Sequence, residues 1–321
     1  MNVLVVGGAG YIGAHTVQAL RERGHKVFVY DNLSTGNLEA VPEDIHFFEG
    51  DIRDGDFLRH IFAEYLIDAV VHFAACSLVG ESMQDPAKYY NNNVVGTLSL
   101  LNAMKGAGVE YLLFSSTAAV YGEPTSLPIT ETALCQPTNV YGRTKLAIEW
   151  SLADYAQAYN LKYTALRYFN AAGASLDASI GEAHPVETHL IPLILQAVTK
   201  HKALQVFGDD YPTPDGTCIR DYIHVLDLAT AHVLALEKMV QTQQSAVYNL
   251  GTETGFSVLE IIKMVEQVTG LEVPYTISPR RAGDPARLVA SVNKAKQQLG
   301  WQLQHSDLQQ IISSAWQWHC K

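Results

Sequence analysis

Short apolar runs bounded by polar or glycine positions recur through the first half of the chain, at Val3–Val6, Lys26–Tyr30, His46–Glu49, Ala69–Phe73, Tyr111–Ser115 and Thr164–Arg167. Between them the apolar residues fall at helical spacing. Ile12–Arg23 ends at Gly24, and Asn92–Gly106 and Lys145–Tyr159 read as long amphipathic helices lying on a sheet face. Strands and helices in alternation predict a parallel sheet covered on both sides, the doubly wound (Rossmann-type) α/β class. After Asn170 the texture changes. Residues 171–221 are rich in Gly, Pro, Asp and His, including Asp209–Gly216, and predict irregular loops of the kind that carry ligand contacts. Helical period returns over His224–Met239, a strand is expected at Val247–Gly251, and helices are expected at Ser257–Thr269 and Ser306–His319. No repeat, low-complexity tract or linker interrupts the pattern. The expected organisation is therefore a first domain over residues 1–170, rejoined by a segment around 222–250, with a smaller α/β substrate-binding lobe formed mainly by 171–321 and capping the sheet's carboxyl edge.

At 321 residues and 48% hydrophobic content the chain can bury a large core. Its 22 Lys+Arg against 33 Asp+Glu give a net charge of -11 without any basic run, which argues against nucleic acid or an acidic membrane as partner. An anionic ligand must then be caught locally. Val3–Val6 is too short for a signal-peptide core or a membrane span, so a cytoplasmic location is expected. Cys76, Cys135, Cys218 and Cys320 are far apart and make no Cys-x-x-Cys step, which predicts reduced thiols. His184 and His189 stand five apart, matching neither a helix face nor a zinc signature, and no metal site is expected.

Gly7, Gly10 and Gly13 lie between the first predicted strand and the first predicted helix. Their missing side chains permit a tight turn, close approach of a pyrophosphate and close helix packing, while the helix amino end presents free N–H groups to phosphate. Asp31 ends the second strand 18 residues beyond Gly13, where an acid hydrogen-bonds the adenosine ribose and repels a 2'-phosphate. NAD is expected over NADP. Asp51 and Ile52 after the third strand, and Phe73, Ala74 and Ala75 after the fourth, mark strand ends past which the adenine and diphosphate run.

The segment Ser115–Gly122 follows the fifth strand and brings Thr117 to the carboxyl edge. Tyr141 and Lys145 follow, four residues apart and so on one helix face. A Tyr-x-x-x-Lys step arises by chance about 0.6 times in a chain of this composition, so it is the position within a dinucleotide-binding frame that gives it weight. A tyrosine near a lysine and a nicotinamide is a general base for sugar hydroxyls. Bringing its pKa from about 10 to about 7 takes roughly 4 kcal/mol, expected from Lys145 and the nicotinamide's positive charge.

These residues, with Asp31-Asn32-Leu33, Gly50-Asp51-Ile52-Arg53, Leu166–Asn170, Arg220–Val225 and Arg280–Asp284, resemble the extended short-chain dehydrogenase/reductase family along nearly the whole chain, and within it the enzymes that invert C4 of UDP-hexoses. The resemblance implies an isomerase of galactose metabolism that interconverts UDP-glucose and UDP-galactose with bound NAD, through a 4-keto sugar. Tyr141, Lys145 and Thr117 would be catalytic. Tyr11, Ile12, Asn32, Asn92 and Tyr168 would join the cofactor site. Asn170, His189, Leu190, Gln205, Phe207, Arg220, Arg281 and Asp284 would hold the uridine diphosphate, arginine forks suiting phosphate oxygens. By the same likeness Leu288 would gate the sugar C2 substituent, and a homodimer would pair through the Asn92–Gly106 and Lys145–Tyr159 helices. Some members carry a lysine near the nicotinamide phosphates where this chain has Ser77, which implies weaker cofactor retention. Nucleotide-sugar 4,6-dehydratases place an Asp-Glu pair where Ala118-Ala119 stand here, which argues against elimination. A UDP-uronate 4-epimerase or decarboxylase shares the cofactor half, and a non-catalytic NAD sensor would not need Tyr141.

Overall fold

The computed structural model describes residues 1–184, 186–281 and 285–321. Strands β1 (Asn2–Val6), β2 (Lys26–Asp31), β3 (His46–Glu49), β4 (Ala69–His72), β5 (Tyr111–Ser115) and β6 (Lys162–Tyr168) fall within two residues of the apolar runs that predict them. The chain then builds β7 (Asn170–Ala172), β8 (Leu204–Phe207), β9 (Ile219–Arg220) and β10 (Tyr222–His224) before β11 (Ala246–Leu250), and ends with β12 (Phe256–Ser257), β13 (Tyr275–Ser278) and β14 (Arg287–Leu288). The main sheet runs β11-β6-β5-β4-β1-β2-β3, every pair parallel. This is the doubly wound α/β architecture, whose strand order reverses beside β1.

Parallel strands buried on both faces read as continuous apolar runs, and Val3–Val6 is fully buried in both directions. On one face the Tyr11–Glu22 and Val225–Thr242 helices pack against Val3, Val5 and Val29; on the other, Leu58, Ile61, Leu100, Met104 and Ile148 pack against Leu4, Val70 and Phe114. A third core, around Ile194, Val206, Ile261 and Ile311, belongs to the smaller lobe.

Several boundaries differ from the sequence expectation. Residues 171–221 are not irregular throughout, since the Leu190–Lys200 helix lies within them. Its run Leu190-Ile-Pro-Leu-Ile-Leu is apolar on every side and so lacks a visible helical stripe, and Pro192 sits in the first turn, where its missing N–H costs nothing. The helix expected from Asn92 begins as a π-helical turn, Tyr90–Val95, before the regular helix Gly96–Ala107. The helix expected from Lys145 starts earlier, at Val140, because the Asn139 side chain caps it by accepting from the Gly142 N–H at 2.8 Å.

Candidate functional site

The glycine cradle is built by close approach of backbone. Gly7 has φ +83°, and a Cβ there would lie 2.5 Å from the Ala74 nitrogen; a Cβ on Gly13 would lie 2.1 Å from the Gly7 oxygen. Gly10 precedes the Tyr11–Glu22 helix without a side-chain cap, leaving the N–H groups of its first turn for an anion. Asp31, at the end of β2, is buried and reaches into this loop: one oxygen accepts from Ala9 N at 3.0 Å, the other from Leu33 N at 2.8 Å. Burial raises its pKa while the backbone donors work against that shift. An acidic carboxylate fixed beside the first turn suits a dinucleotide's ribose, so the cradle fits NAD.

The other expected cofactor residues have more varied surroundings. Asp51 pairs with Arg53 at 2.7 Å and accepts from the Asn32 amide at 3.3 Å; the Arg53 hydrogen bond outweighs burial and holds its pKa at about 2. Ile52 is buried against Gly96. Phe73 lies tilted against His232 at 4.9 Å, while the Phe73 and Ala74 nitrogens bond Val6 O and close one side of the cradle. Ala75 is partly buried beside them. The Tyr11 hydroxyl turns away to Gly173 O at 2.6 Å, so its backbone alone faces the phosphates' place. Asn92 donates to Asn93 at 3.0 Å. It is Asn93, missed from sequence, that is wholly buried and ties Cys76, after β4, to Thr144.

The reacting groups meet at the end of β5. Thr117 lies two residues past the strand and caps the short turn Ala118–Tyr121, whose Ala119 lies against the start of the Val140–Tyr159 helix. Gly142 permits this contact, since a Cβ there would sit 2.6 Å from Ala119 O. The two elements thereby bring the Tyr141 hydroxyl close enough to the Thr117 side chain for the two to interact. Burial pushes Tyr141 up to about 12 and the Thr117 hydroxyl pulls against it. Lys145 is 2% exposed, donates to Ser115 O at 2.8 Å and lies 5.9 Å from the centre of the Tyr141 ring. Burial brings its ammonium down to about 7, opposed by Glu149. Lys145 is not among the groups that act on Tyr141, where Thr117 alone opposes burial. Tyr168 stands behind, bonded to Ser115 at 2.5 Å.

Behind these lies a buried pair that sequence reasoning did not reach. Arg167 on β6 forks onto Glu149, two turns beyond Tyr141 on the same helix, and Glu149 also accepts from Ser116 at 2.5 Å. Arg167 further donates to Tyr121, whose hydroxyl bonds Asn249 on β11. The pair locks helix, β6 and the Thr117 turn together.

A cavity of about 850 Å³ opens beside this edge, lined by Asn170, His189, Leu190, Gln205, Phe207, Arg220 and Arg281 among others. Arg281 lies over the Phe207 ring at 4.0 Å, whereas Arg280 is drawn outward to Asp210 at 2.6 Å and to Tyr211. The Asn170 amide bonds Asp221 O at 3.0 Å. Asp221 gives its carboxylate to Thr252 and to Ala290 N, fastening β9, β11 and the end of β14 around the cavity. Leu288 pairs in register with Arg220 and packs with Ala118, Val120 and Tyr121, toward the reacting end. Asp284 lies outside the described residues. His189 meets Glu182, Glu187 and His184 in one cluster.

A glycine cradle at a switch point of a doubly wound sheet, a Tyr-Lys step at its carboxyl edge and an arginine-bearing cavity beyond define a nucleotide-dependent enzyme of the short-chain type. Residues 3–251 match the NAD dependent epimerase/dehydratase family, and the chain belongs to it. The chain is 52% identical over 320 residues, 99% of its length and 97% of the relative's, to the UDP-glucose 4-epimerase of Lacticaseibacillus casei. The crystal structure of UDP-glucose 4-epimerase from Brucella ovis in complex with NAD superposes with a TM-score of 0.96 at 52% identity, covering 98% of this chain and 97% of that one. That from Bifidobacterium longum in complex with NAD+ and UDP gives a TM-score of 0.93 at 40% identity, covering 100% and 98%.

Proposed function

We propose that the chain interconverts UDP-glucose and UDP-galactose by inverting C4, with NAD as resident cofactor. The observation that carries this reading is the Thr117–Tyr141 hydroxyl pair at the carboxyl edge, between the glycine cradle and the arginine-bearing cavity. Gly7, Gly10 and Gly13 with the first-turn N–H groups of Tyr11 and Ile12 hold the pyrophosphate, and Asp31 with Asn32 the adenosine ribose. NAD held there would supply a reversible hydride acceptor for C4 and a positive charge near the phenol.

Tyr141 takes the proton of the 4-hydroxyl and later returns it, while Thr117 steadies the reacting oxygen. With its pKa pushed up to about 12 by burial, the phenol is held as the acid, and each unit of lowering corresponds to about 1.4 kcal/mol. Lys145 contributes to that lowering to the extent that it is charged. Arg220, Arg281 and Asn170, with Leu190, Gln205 and Phe207 as wall, anchor the uridine diphosphate. The anchored nucleotide retains the 4-keto sugar while the hexose turns to present its other face. Interactions with the uridine diphosphate therefore favour every state along the reaction, and loose hexose contacts permit inversion. Ala118 and Ala119 beside Thr117 supply neither acid nor base for loss of water.

In the cell we place the chain in the cytoplasm as a homodimer joined through the Gly96–Ala107 and Val140–Tyr159 helices. Trp150, 63% exposed on the second of these, and the exposed Val95 just before the first are the apolar residues this contact would cover. Among the described residues no helix is long and apolar enough to cross a membrane.

The test is conversion of UDP-galactose to UDP-glucose by purified protein without added NAD, repeated with Tyr141→Phe. Turnover should fall about 10²-fold or more while UDP and NAD still bind. A variant that turns over within a few fold of the parent would overturn the assignment of Tyr141.

A further inference from the structure

We propose that Glu182, His184, Glu187 and His189 form a site for one divalent transition-metal ion, zinc being the best match, in the wall of the cavity beside the cofactor cradle. Each of the four offers one ligand atom, and these atoms all lie within 4.8 Å of one another. His184 Nδ1 stands 3.2 Å from Glu182 Oε1 and 3.6 Å from Glu187 Oε2, and His189 Nδ1 stands 3.5 Å from Glu187 Oε1 and in direct contact with Glu182. Zinc bonds of about 2.1 Å to imidazole nitrogen and carboxylate oxygen set the edge of a tetrahedron at roughly 3.4 Å, so these three separations bracket the required one, and only His189 and Glu182 must part to admit the ion.

The charge balance agrees. The Glu182 and Glu187 side chains are 6% and 7% exposed, and two carboxylates so withdrawn from water need two positive charges nearby. The two histidines in contact with them can carry these as protons, and one divalent cation between two neutral imidazoles would supply the same two charges in exchange for those protons, with no change of net charge. The backbone that presents the ligands is fixed at both ends. Gly181 lies against the Trp318 ring, Trp318 Nε1 donates to Glu182 O at 2.9 Å, and His189 is the residue from which the Leu190–Lys200 helix starts. His184 also borders a smaller pocket shared with Gly10 and Tyr11 of the cradle. Four protein ligands leave no open position, which makes this a structural ion, not a catalytic one. It would clasp the start of the helix bearing Leu190 to the loop facing the cofactor and so set the shape of the cavity mouth.

The test reads metal, not turnover, and so stands apart from the assignment of substrate. Full-length protein loaded with zinc and gel-filtered should retain about one ion per chain. Affinity, measured by competition with a chromophoric chelator, should weaken on the order of 10²-fold or more in His184→Ala and in Glu187→Gln, and stay unchanged in His60→Ala, a histidine on the outer surface. Wild-type protein loaded with cobalt(II), which needs no variant, should show the intense visible absorption of a four-coordinate ion. Retention of less than a tenth of an ion, equal affinity in the parent and both cluster variants, or the weak spectrum of six-coordinate cobalt would each overturn the proposal.

Discussion

Gly142→Ala separates catalytic geometry from stability in this protein. The added Cβ would stand 2.6 Å from Ala119 O and 2.9 Å from Pro137 Cβ, whereas ordinary contact begins at 3.4 Å. Both neighbours are rigid, so the first turn of the Val140–Tyr159 helix must retreat from the Ala118–Tyr121 turn by about 0.8 Å. Tyr141 rides on the retreating turn and Thr117 caps the turn left behind, so the separation of their hydroxyls grows by a comparable amount. A displacement of this size at reacting groups costs about 10²-fold in rate, or roughly 3 kcal/mol in the barrier. Stability should move far less. Overpacking costs about 1–3 kcal/mol, and alanine recovers up to about 1 kcal/mol of helix propensity over glycine. The variant should thus melt within several degrees of the parent and retain its affinity for UDP, while kcat for UDP-galactose falls by about two orders of magnitude. Turnover within threefold of the parent would show that the contact between Gly142 and Ala119 does not set the Tyr141–Thr117 distance.

Three further outcomes are expected. Because burial depresses Lys145 from 10.5 to about 7, the unfolded chain binds the extra proton between those values; the lysine's contribution to stability is present above pH 10.5 and lost as pH falls toward 7, so the denaturation midpoint of the parent should rise relative to Lys145→Met from pH 7 to 10, and a pH-independent difference would refute the buried-lysine argument. Asp31 should make the chain favour NAD over NADP by several kcal/mol in a binding titration, and Asp31→Asn should narrow the gap; equal affinity in the parent would misplace the acid. Leu288, packed toward the reacting end, should admit some turnover of UDP-N-acetylglucosamine that Leu288→Tyr lowers by about 1–3 kcal/mol in kcat/KM, and an unaltered ratio of the two substrates would move the gate elsewhere.

The strands of the main sheet were legible because each is an apolar run cut off by glycine or polar residues, and their order follows from the preference for right-handed parallel crossovers. The lobe was harder to read. Its strands β9, β12 and β14 are two residues long, too short for any periodicity, and they exist because Asp221 and the neighbouring backbone hold them together. At the site, the cradle and the Tyr-Lys step could be read because their spacing is local. Glu149 and Arg167 could not, since a helix and a strand 18 residues apart in sequence must first be packed before the two charges meet. For His184 and His189 the sequence shows only a spacing between two residues, not the glutamates that meet them in the folded chain. Asp51, expected along the cofactor's path, is also held by Arg53, a partner visible two positions away.

The return of the chain to the sheet as β11, after the first half of the smaller lobe and before the second, has a consequence for how the molecule can be altered. A chain stopped after β6 would leave that strand's edge bare and would deprive Tyr121 of Asn249. The lobe therefore cannot be exchanged as one cassette. A graft from another enzyme needs two junctions, one on each side of the segment from β10 to β11, and both must respect the Asp221 bonds that cross them. Such interleaving also couples the two halves on unfolding, so heat or denaturant should melt them in a single transition, and a protease should find no cut that releases either half intact.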